Sequence, residues 1–563
     1  MKNIEVPPTQ YALQLVGPGE LRLNREKDVI QPGPYQVLVR VEAVGLCFSD
    51  LKLLKQFSSH ARKGEIIQGL PREVLDEIPS YVPGAKPTVP GHEVVCRIVA
   101  VGAEVRHHHV GERCLVQTDY RDLRTAGSNA AFGYNFEGGL QEYVLMDERV
   151  IVDRGSGERF LIPVGEALSA SAVALVEPWA CVEDSYVNPE RQTITPGGRL
   201  LVVAERDHTV EGLQEAFRKG KPGSITAVCS GGEQEIALQA MGIPFEKARE
   251  AAALPPEHFD DIVYFGADAA TIEVLNDKLA AHGIINIVLG GRRIGQQVSV
   301  GIGRIHYGMT RWIGTEGKRA DESYATIPEN GEIRPGEQIA VIGAAGPMGQ
   351  MHVIRNLCLP TAGVSIVAAD IDEPRLKTLL RKVRPLAEKN RVPLRMINTR
   401  EEPLIEKFSY FAILVPAPAL VADAVTNSLD GSLINVFAGI PATVRQKVDL
   451  DTYVRRLCFM FGTSGSVIRD MKLVLNKVEN GQLDPNCSVD AIAGMAGAAQ
   501  AIAAVENRTL AGKIIVFPML HDVGLIPLSE LENHYPGVSR KLQNGQWNRA
   551  AEEELLRTAA AGS

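Results

Sequence analysis

The stretch "QIAVIGAAGPMGQMHVI", Gln338–Ile354, decides how the chain is read. An apolar run of strand length ends at Gly343, and the turn that follows holds Gly346, Pro347, Met348 and Gly349 before a helix-length segment begins. Glycines at this spacing let the backbone turn tightly and come close to a pyrophosphate, whose charge the helix N-terminus meets. After the next apolar run, "VSIVAA", comes Asp370, about 20 residues past the last glycine, where an acid hydrogen-bonds ribose hydroxyls. An acid there also repels the extra phosphate of NADP, so the turn reads as an NAD cradle. Strand, turn, helix and acid together make the signal specific.

Upstream lies a blunted copy, "RLLVVAERDHTVEGLQE", Arg199–Glu215. Aligned from the shared Pro-Gly at Pro196-Gly197 and Pro335-Gly336, its three glycine positions hold Ala204, Asp207 and Val210. Aspartate repels phosphate, and β-carbons block close approach. Cys229 stands where the ribose acid would be. The two regions match again further on. His282–Gly291 lies over Asp430–Gly439 and Ile313–Gly317 over Phe461–Gly465, both pairs at an offset of 148 residues. From Arg199 onward, apolar strands alternate with helix-length segments, the pattern of a parallel α/β sheet. The chain therefore carries a duplicated Rossmann-like module, with the first copy degenerate.

Bulk properties fit a multidomain globular protein. The chain has 563 residues, 45% hydrophobic and 23% charged, with no apolar run long enough to span a bilayer. A net charge of −9 argues against nucleic-acid binding. The N-terminus, "MKNIEVPPTQYALQL", lacks a signal-peptide layout. Eight scattered cysteines without a C-x-x-C pair read as reduced thiols and a cytoplasmic location.

Residues from Tyr11 to about Val152 alternate short apolar strands with Gly and Pro turns, as a β-rich domain does. Three fragments in and after it carry candidate metal ligands: "GLCFSDLK" with Cys47, "VPGHEVV" with His92 and Glu93, and "ALVEPWACVEDS" with Glu177. A catalytic zinc takes three or four such mixed ligands and keeps a position open. By contrast, "VRHHHVG" at Val105–Gly111 places three histidines in a row, which point to alternate faces and cannot all bind one ion.

In order and context this set resembles the zinc-dependent medium-chain dehydrogenase/reductase superfamily, in its polyol (sorbitol-type) and threonine dehydrogenase branch. The matching residues are Cys-x-Ser-Asp at 47–50, Pro-Gly-His-Glu at 90–93 and Glu-Pro at 177–178. The resemblance implies a Zn2+ site of Cys47, His92 and Glu93 or Glu177, with Ser49 passing a proton. The family's relay often ends at a His five residues after the Cys, and Lys52 stands there instead. The four-cysteine lobe of many relatives is missing between Cys114 and Gly138, and Leu54–Pro87 is a long link between ligands that lies near the pocket.

The expected architecture is α/β. A GroES-like β-rich catalytic domain covers residues 1–190, completed by 484–520; a degenerate Rossmann-like module covers 195–320 and an NAD-binding Rossmann domain 333–483, both doubly wound parallel sheets. A polar helical tail follows at 521–563. The expected activity is hydride transfer between NAD and a secondary alcohol of a sugar, polyol or similar small hydroxylated substrate. A lyase or epimerase using transient NAD oxidation would use the same residues; the degenerate module also raises the reading of a non-catalytic binding protein, against which the intact Cys47, His92 and Gly343–Gly349 stand. No nucleic-acid or membrane partner is expected. In the resembled family, subunits pair through Rossmann edge strands. The first module is therefore expected to cap the second within one chain as a pseudo-dimer, and further homo-oligomer contacts stay open.

Overall fold

The computed structural model describes residues 6–359 and 361–560. Residues 1–5 of the N-terminal stretch and 561–563 of the tail lie outside the described residues. The described residues form two units, one within 1–181 and 466–563 and the other within 182–465. All eight cysteines are free thiols. Among the described residues no helix is long and apolar enough to cross a membrane.

The first unit is built on an eight-stranded sheet. At its centre Gln36–Gly45 runs antiparallel to Glu93–Val101, with Gly45 opposite Glu93. Val37, Val39, Val41 and Val44 are fully buried, as are Ile98, Cys96 and Val94 opposite the last three, as β-branched residues in a central strand favour. The returning strand Lys513–Val516 adds to the other side of Gln36–Gly45, with Ile515 opposite Gly45. Val489–Ala493 and Ile526–Pro527 continue the sheet beyond it. A smaller sheet joins Ile66–Gln68, Asp119–Thr125 and Asn129–Ala131. The long link is therefore part of the unit, and its Ile66, Leu75, Ile78 and Tyr81 lie in the same core as the central strands.

The tail also belongs here. Its helix Arg549–Ala560 buries Glu552, which accepts hydrogen bonds from the Ser171 amide at 2.9 Å and the Ala170 amide at 2.5 Å. The Trp547 indole N–H donates to the Ser171 hydroxyl at 3.0 Å. The Glu552 carboxylate thus meets open N–H groups at the start of helix Ala170–Ala174.

The second unit contains two six-stranded sheets of the same design. In space, one runs Phe245–Lys247, Ser224–Val228, Arg199–Ala204, Phe259–Phe265, Leu279–Val288, Arg311–Thr315. The other runs Leu394–Asn398, Ser365–Asp370, Gln338–Ile342, Phe408–Ile413, Ser428–Val436, Phe459–Phe461. Every ladder in both is parallel. This is the doubly wound order 3-2-1-4-5-6, whose strand order reverses beside the first strand.

One expected element is absent from the first module. Residues 205–221, which follow strand Arg199–Ala204, form turns and bends where a crossover helix was expected. The segment "ERDHTVEGLQEAFRKGKPG" ends in Gly and Pro breakers, and Gly212 sits at φ +71 against Asp321. The second module keeps its helix, Pro347–Cys358.

The two sheets share one hydrophobic core, to which Trp312 and Ile287 contribute from one and Tyr453 and Met460 from the other. Val298–Val300 pairs antiparallel with Gln446–Val448. The edge strands Arg311–Thr315 and Phe459–Phe461 adjoin but belong to separate sheets. Side chains tie them: the Tyr453 hydroxyl donates to Trp312 O at 2.7 Å, and the Arg311 guanidinium donates to Gly462 O at 3.1 Å.

Candidate functional site

The register of the central ladder assembles the first site. Because Gly45 faces Glu93, the chain leaving one strand at Cys47 meets the chain entering the other at His92. Cys47 then caps helix Phe48–Gln56, and its amide donates to Asp50 at 3.0 Å. Ligand atoms of Cys47, His92 and Glu93 all lie within 4.8 Å of one another.

Hydrogen bonds set the imidazole for ligation. Nδ1 of His92 faces the Asp50 carboxylate at 2.9 Å, so this nitrogen carries the proton. The Nε2 lone pair is left toward the cluster, where the Ser49 hydroxyl lies 3.2 Å away. Burial alone would raise the Asp50 carboxyl, but His92 and the Cys47 amide outweigh it and hold it below its ordinary value. Glu93 pairs through one oxygen with the Lys513 ammonium, which also donates to Leu46 O at 2.6 Å. Its other oxygen is buried without a hydrogen-bond partner. An orphaned buried carboxylate oxygen beside a thiol and an imidazole nitrogen suits a borderline-soft cation such as Zn2+.

Glu177 lies in the same electrostatic neighbourhood but outside that tight group. Burial pushes its carboxyl up to about 7; His92 opposes this, and Glu93 and Asp119 add to it. Lys52 sits one turn beyond Ser49 on helix Phe48–Gln56 and is exposed. The three consecutive histidines diverge. His108 is buried with Nδ1 2.8 Å from Glu148, while His107 and His109 are exposed.

Sequence reasoning missed several neighbours. Asp50 stood inside the quoted motif but was given no role. Lys513 comes from the far end of the chain and carries no local signal. Arg62 and Asp119 meet through two hydrogen bonds of 2.6 and 3.3 Å. Tyr134 lies 5.9 Å from the His92 ring, centroid to centroid.

The second site is the glycine turn. At Gly349 a β-carbon would fall 2.1 Å from Gly343 O, so only glycine fits. At Gly346, the N-cap of helix Pro347–Cys358, the nearest atom to such a carbon is 3.7 Å away, so the turn is open there. Met348 stands in the first turn of that helix. This cradle fits a pyrophosphate against a helix N-terminus. Asp370 ends strand Ser365–Asp370 and accepts from the Ala345 amide at 2.9 Å and from the Ile371 amide at 2.7 Å. The acid is thereby fixed at the rim of the turn.

The corresponding place in the first module is occupied. Glu205 accepts from the Ala267 and Asp268 amides at 3.0 and 3.1 Å, and Arg292 pairs with Glu205 at 3.0 Å and Asp207 at 3.2 Å.

Residues 33–155 match the alcohol dehydrogenase GroES-like domain. Sorbitol dehydrogenase of Bos taurus is 32% identical over 110 residues, covering 20% of this chain and 25% of that enzyme. L-sorbose 1-phosphate reductase of Klebsiella pneumoniae is 24% identical over 357 residues, covering 57% of this chain and 78% of that enzyme. The structure of 2R,3R-butanediol dehydrogenase from Bacillus subtilis shares the fold, with a TM-score of 0.52 and 14% identity, over 91% of this chain and all of that one. The GroES-like domain match and the polyol-dehydrogenase relatives support a place for this chain in the medium-chain dehydrogenase/reductase superfamily, polyol branch.

Proposed function

We propose that this protein is a zinc- and NAD-dependent dehydrogenase that oxidises a secondary alcohol of a sugar, polyol or related hydroxylated metabolite. The observation that carries the reading is the convergence of Cys47, His92 and Glu93 beside the Ser49 hydroxyl, with a buried Glu93 oxygen left unpartnered. Cys47, His92 and Glu93 would hold the metal, with Glu177 next to them. When bound, zinc supplies Lewis-acid polarisation of the alcohol oxygen and NAD supplies the hydride acceptor.

The chain's own residues do the rest. Asp50 orients His92 and fixes its tautomer. Ser49 takes the alcohol proton and passes it outward, and Lys52 stands one turn further toward solvent. Gly343, Gly346 and Gly349 shape the turn that receives the pyrophosphate, with Pro347 and Met348 opening its helix, and Asp370 receives the ribose.

We also read the first module as an intrachain cap on the second. The shared core and the Tyr453 and Arg311 hydrogen bonds support this. The occupied turn at Glu205 supports one NAD per chain. The test is a screen of sugars, polyols and their phosphates with NAD, followed by absorbance of the reduced cofactor, alongside metal analysis of the purified protein. Absence of both zinc and NADH formation across the screen would remove the reading.

A further inference from the structure

The link at residues 54–87 brings charge that a neutral alcohol does not need. Strand Ile66–Gln68 pairs antiparallel with Asp119–Thr125, which fixes the link to the unit's smaller sheet. The Arg62 guanidinium is thereby held on Asp119 and lies 5.5 Å from the centroid of Tyr134, the ring next to His92. It also lies within electrostatic reach of Glu177. A second guanidinium, Arg121, approaches Asp119 Oδ2 at 3.9 Å, the oxygen that Arg62 also meets at 3.3 Å. Lys52 adds an ammonium near His60, whose ring is 5.1 Å from Tyr134. Arg62 and Arg121 thus face one carboxylate, Asp119, and Arg62 and Lys52 both act on His60, in a chain of net charge −9. Asp119 uses two of the five N–H donors of Arg62 and holds the planar fork in one orientation.

We propose that Arg62, with Arg121 and Lys52 around it, is a subsite for an anionic group on the substrate, so that the protein prefers a polyol phosphate or a polyol acid to the neutral polyol. This rests on the dehydrogenase reading. A guanidinium fork matches phosphate and carboxylate alike, and local positive potential raises the encounter rate of anions. Asp119 is a positioning residue here: it keeps the fork extended until the substrate anion shares it.

The test uses the full chain loaded with zinc, and a matched set of neutral polyol, polyol phosphate and polyol acid. The kcat/KM for one of the two anionic forms is expected to exceed that of the neutral form tenfold or more, and which one does so identifies the group. Arg62→Ala is expected to raise KM for that form roughly tenfold to a hundredfold more than for the neutral polyol, the loss of one charge-assisted contact. Arg62→Lys, which keeps the charge, recovers part of it. A binding readout runs in parallel: inorganic phosphate is expected to raise the thermal unfolding midpoint of the native protein but not that of Arg62→Ala. Equal use of all three substrates, with no phosphate effect on the midpoint, would overturn the proposal. Phosphate stabilisation that depends on Arg62, without oxidation of any alcohol, would uphold the subsite and overturn the dehydrogenase reading.

Discussion

Asp50 offers the sharpest perturbation of the metal site. Its carboxylate is 4% exposed and satisfies two donors, His92 Nδ1 at 2.9 Å and the Cys47 amide at 3.0 Å. Asparagine keeps the shape but only one acceptor, and turns its NH2 on the remaining donor. Asp50→Asn therefore loses one of the two bonds and leaves the imidazole free to rotate or to change tautomer. A hydrogen bond to a charged group is worth about 1.5–3 kcal/mol, and about 1.4 kcal/mol is a factor of ten. If that bond holds His92 for the metal, zinc affinity falls about tenfold to a hundredfold, the usual effect of losing a carboxylate behind a metal-bound imidazole. Asp50→Ala loses both bonds and should bind zinc more weakly still. The assay is competition with a chromophoric chelator, with circular dichroism to establish that each variant is folded. A folded Asp50→Asn protein that binds zinc as tightly as the native chain would refute the reasoning.

Five further outcomes are expected. Cys47→Ala should take zinc below one per chain by elemental analysis and abolish turnover, whereas Ser49→Ala should slow turnover with zinc still bound; full activity in the first variant removes the zinc mechanism. Asp370→Ala should weaken NAD and narrow the gap to NADP, read from KM for each cofactor, and a native enzyme that already prefers NADP would contradict the role given to this acid. His352 is fully buried, and burial, with Arg355 adding to it, pushes its imidazole down to about 3. The unfolded ring takes its proton near pH 6.5 and the folded one only near pH 3, so stability is steady above about pH 6.5. Below that it falls by up to about 1.4 kcal/mol per pH unit. His352→Gln should flatten that slope in urea unfolding at about pH 7 and about pH 5, and an unchanged slope would contradict it. Calorimetry should give one NAD per chain, and two would sink the reading of the first module.

Much of this was legible because the informative residues were local. The glycine turn, its helix and Asp370 sit within one βαβ unit, and the offset between the two modules is a property of the sequence itself. Cys47 and His92 could be paired only by resemblance, since their meeting depends on a ladder register that places Gly45 opposite Glu93. Lys513 and Arg62 were not legible at all. Each reaches the site through strand pairing over long sequence separation, and a lone basic residue has no pattern of its own. The missing helix after Ala204 was misread because apolar spacing survived there while Gly212, Gly220 and Pro222 broke the helix.

The proposed cap accounts for where the two modules still agree. Contacts between them fall on the last two strands of each sheet and on the segments beside them. Gly314 and Gly462, which share the 148-residue offset, are both places of close approach across the two modules. A β-carbon on Gly314 would meet the Val454 side chain at 2.7 Å and Ile287 O of its own sheet at 2.8 Å, and one on Gly462 would meet Val436 O of its own sheet at 2.7 Å and lie 3.2 Å from the His306 backbone. Larger residues at either position would push the sheets apart, so packing alone keeps both glycines. Nothing in that contact involves the turn after Arg199–Ala204. On the proposed reading one cradle serves the chain, which would leave the other free to hold Ala204, Asp207 and Val210 and to pair Glu205 with Arg292. An exposed edge strand, by contrast, invites unwanted pairing with other chains. Losing the first sheet would uncover Phe459–Phe461, a cost that under the proposed cap would keep the six strands of a module lacking the glycine cradle.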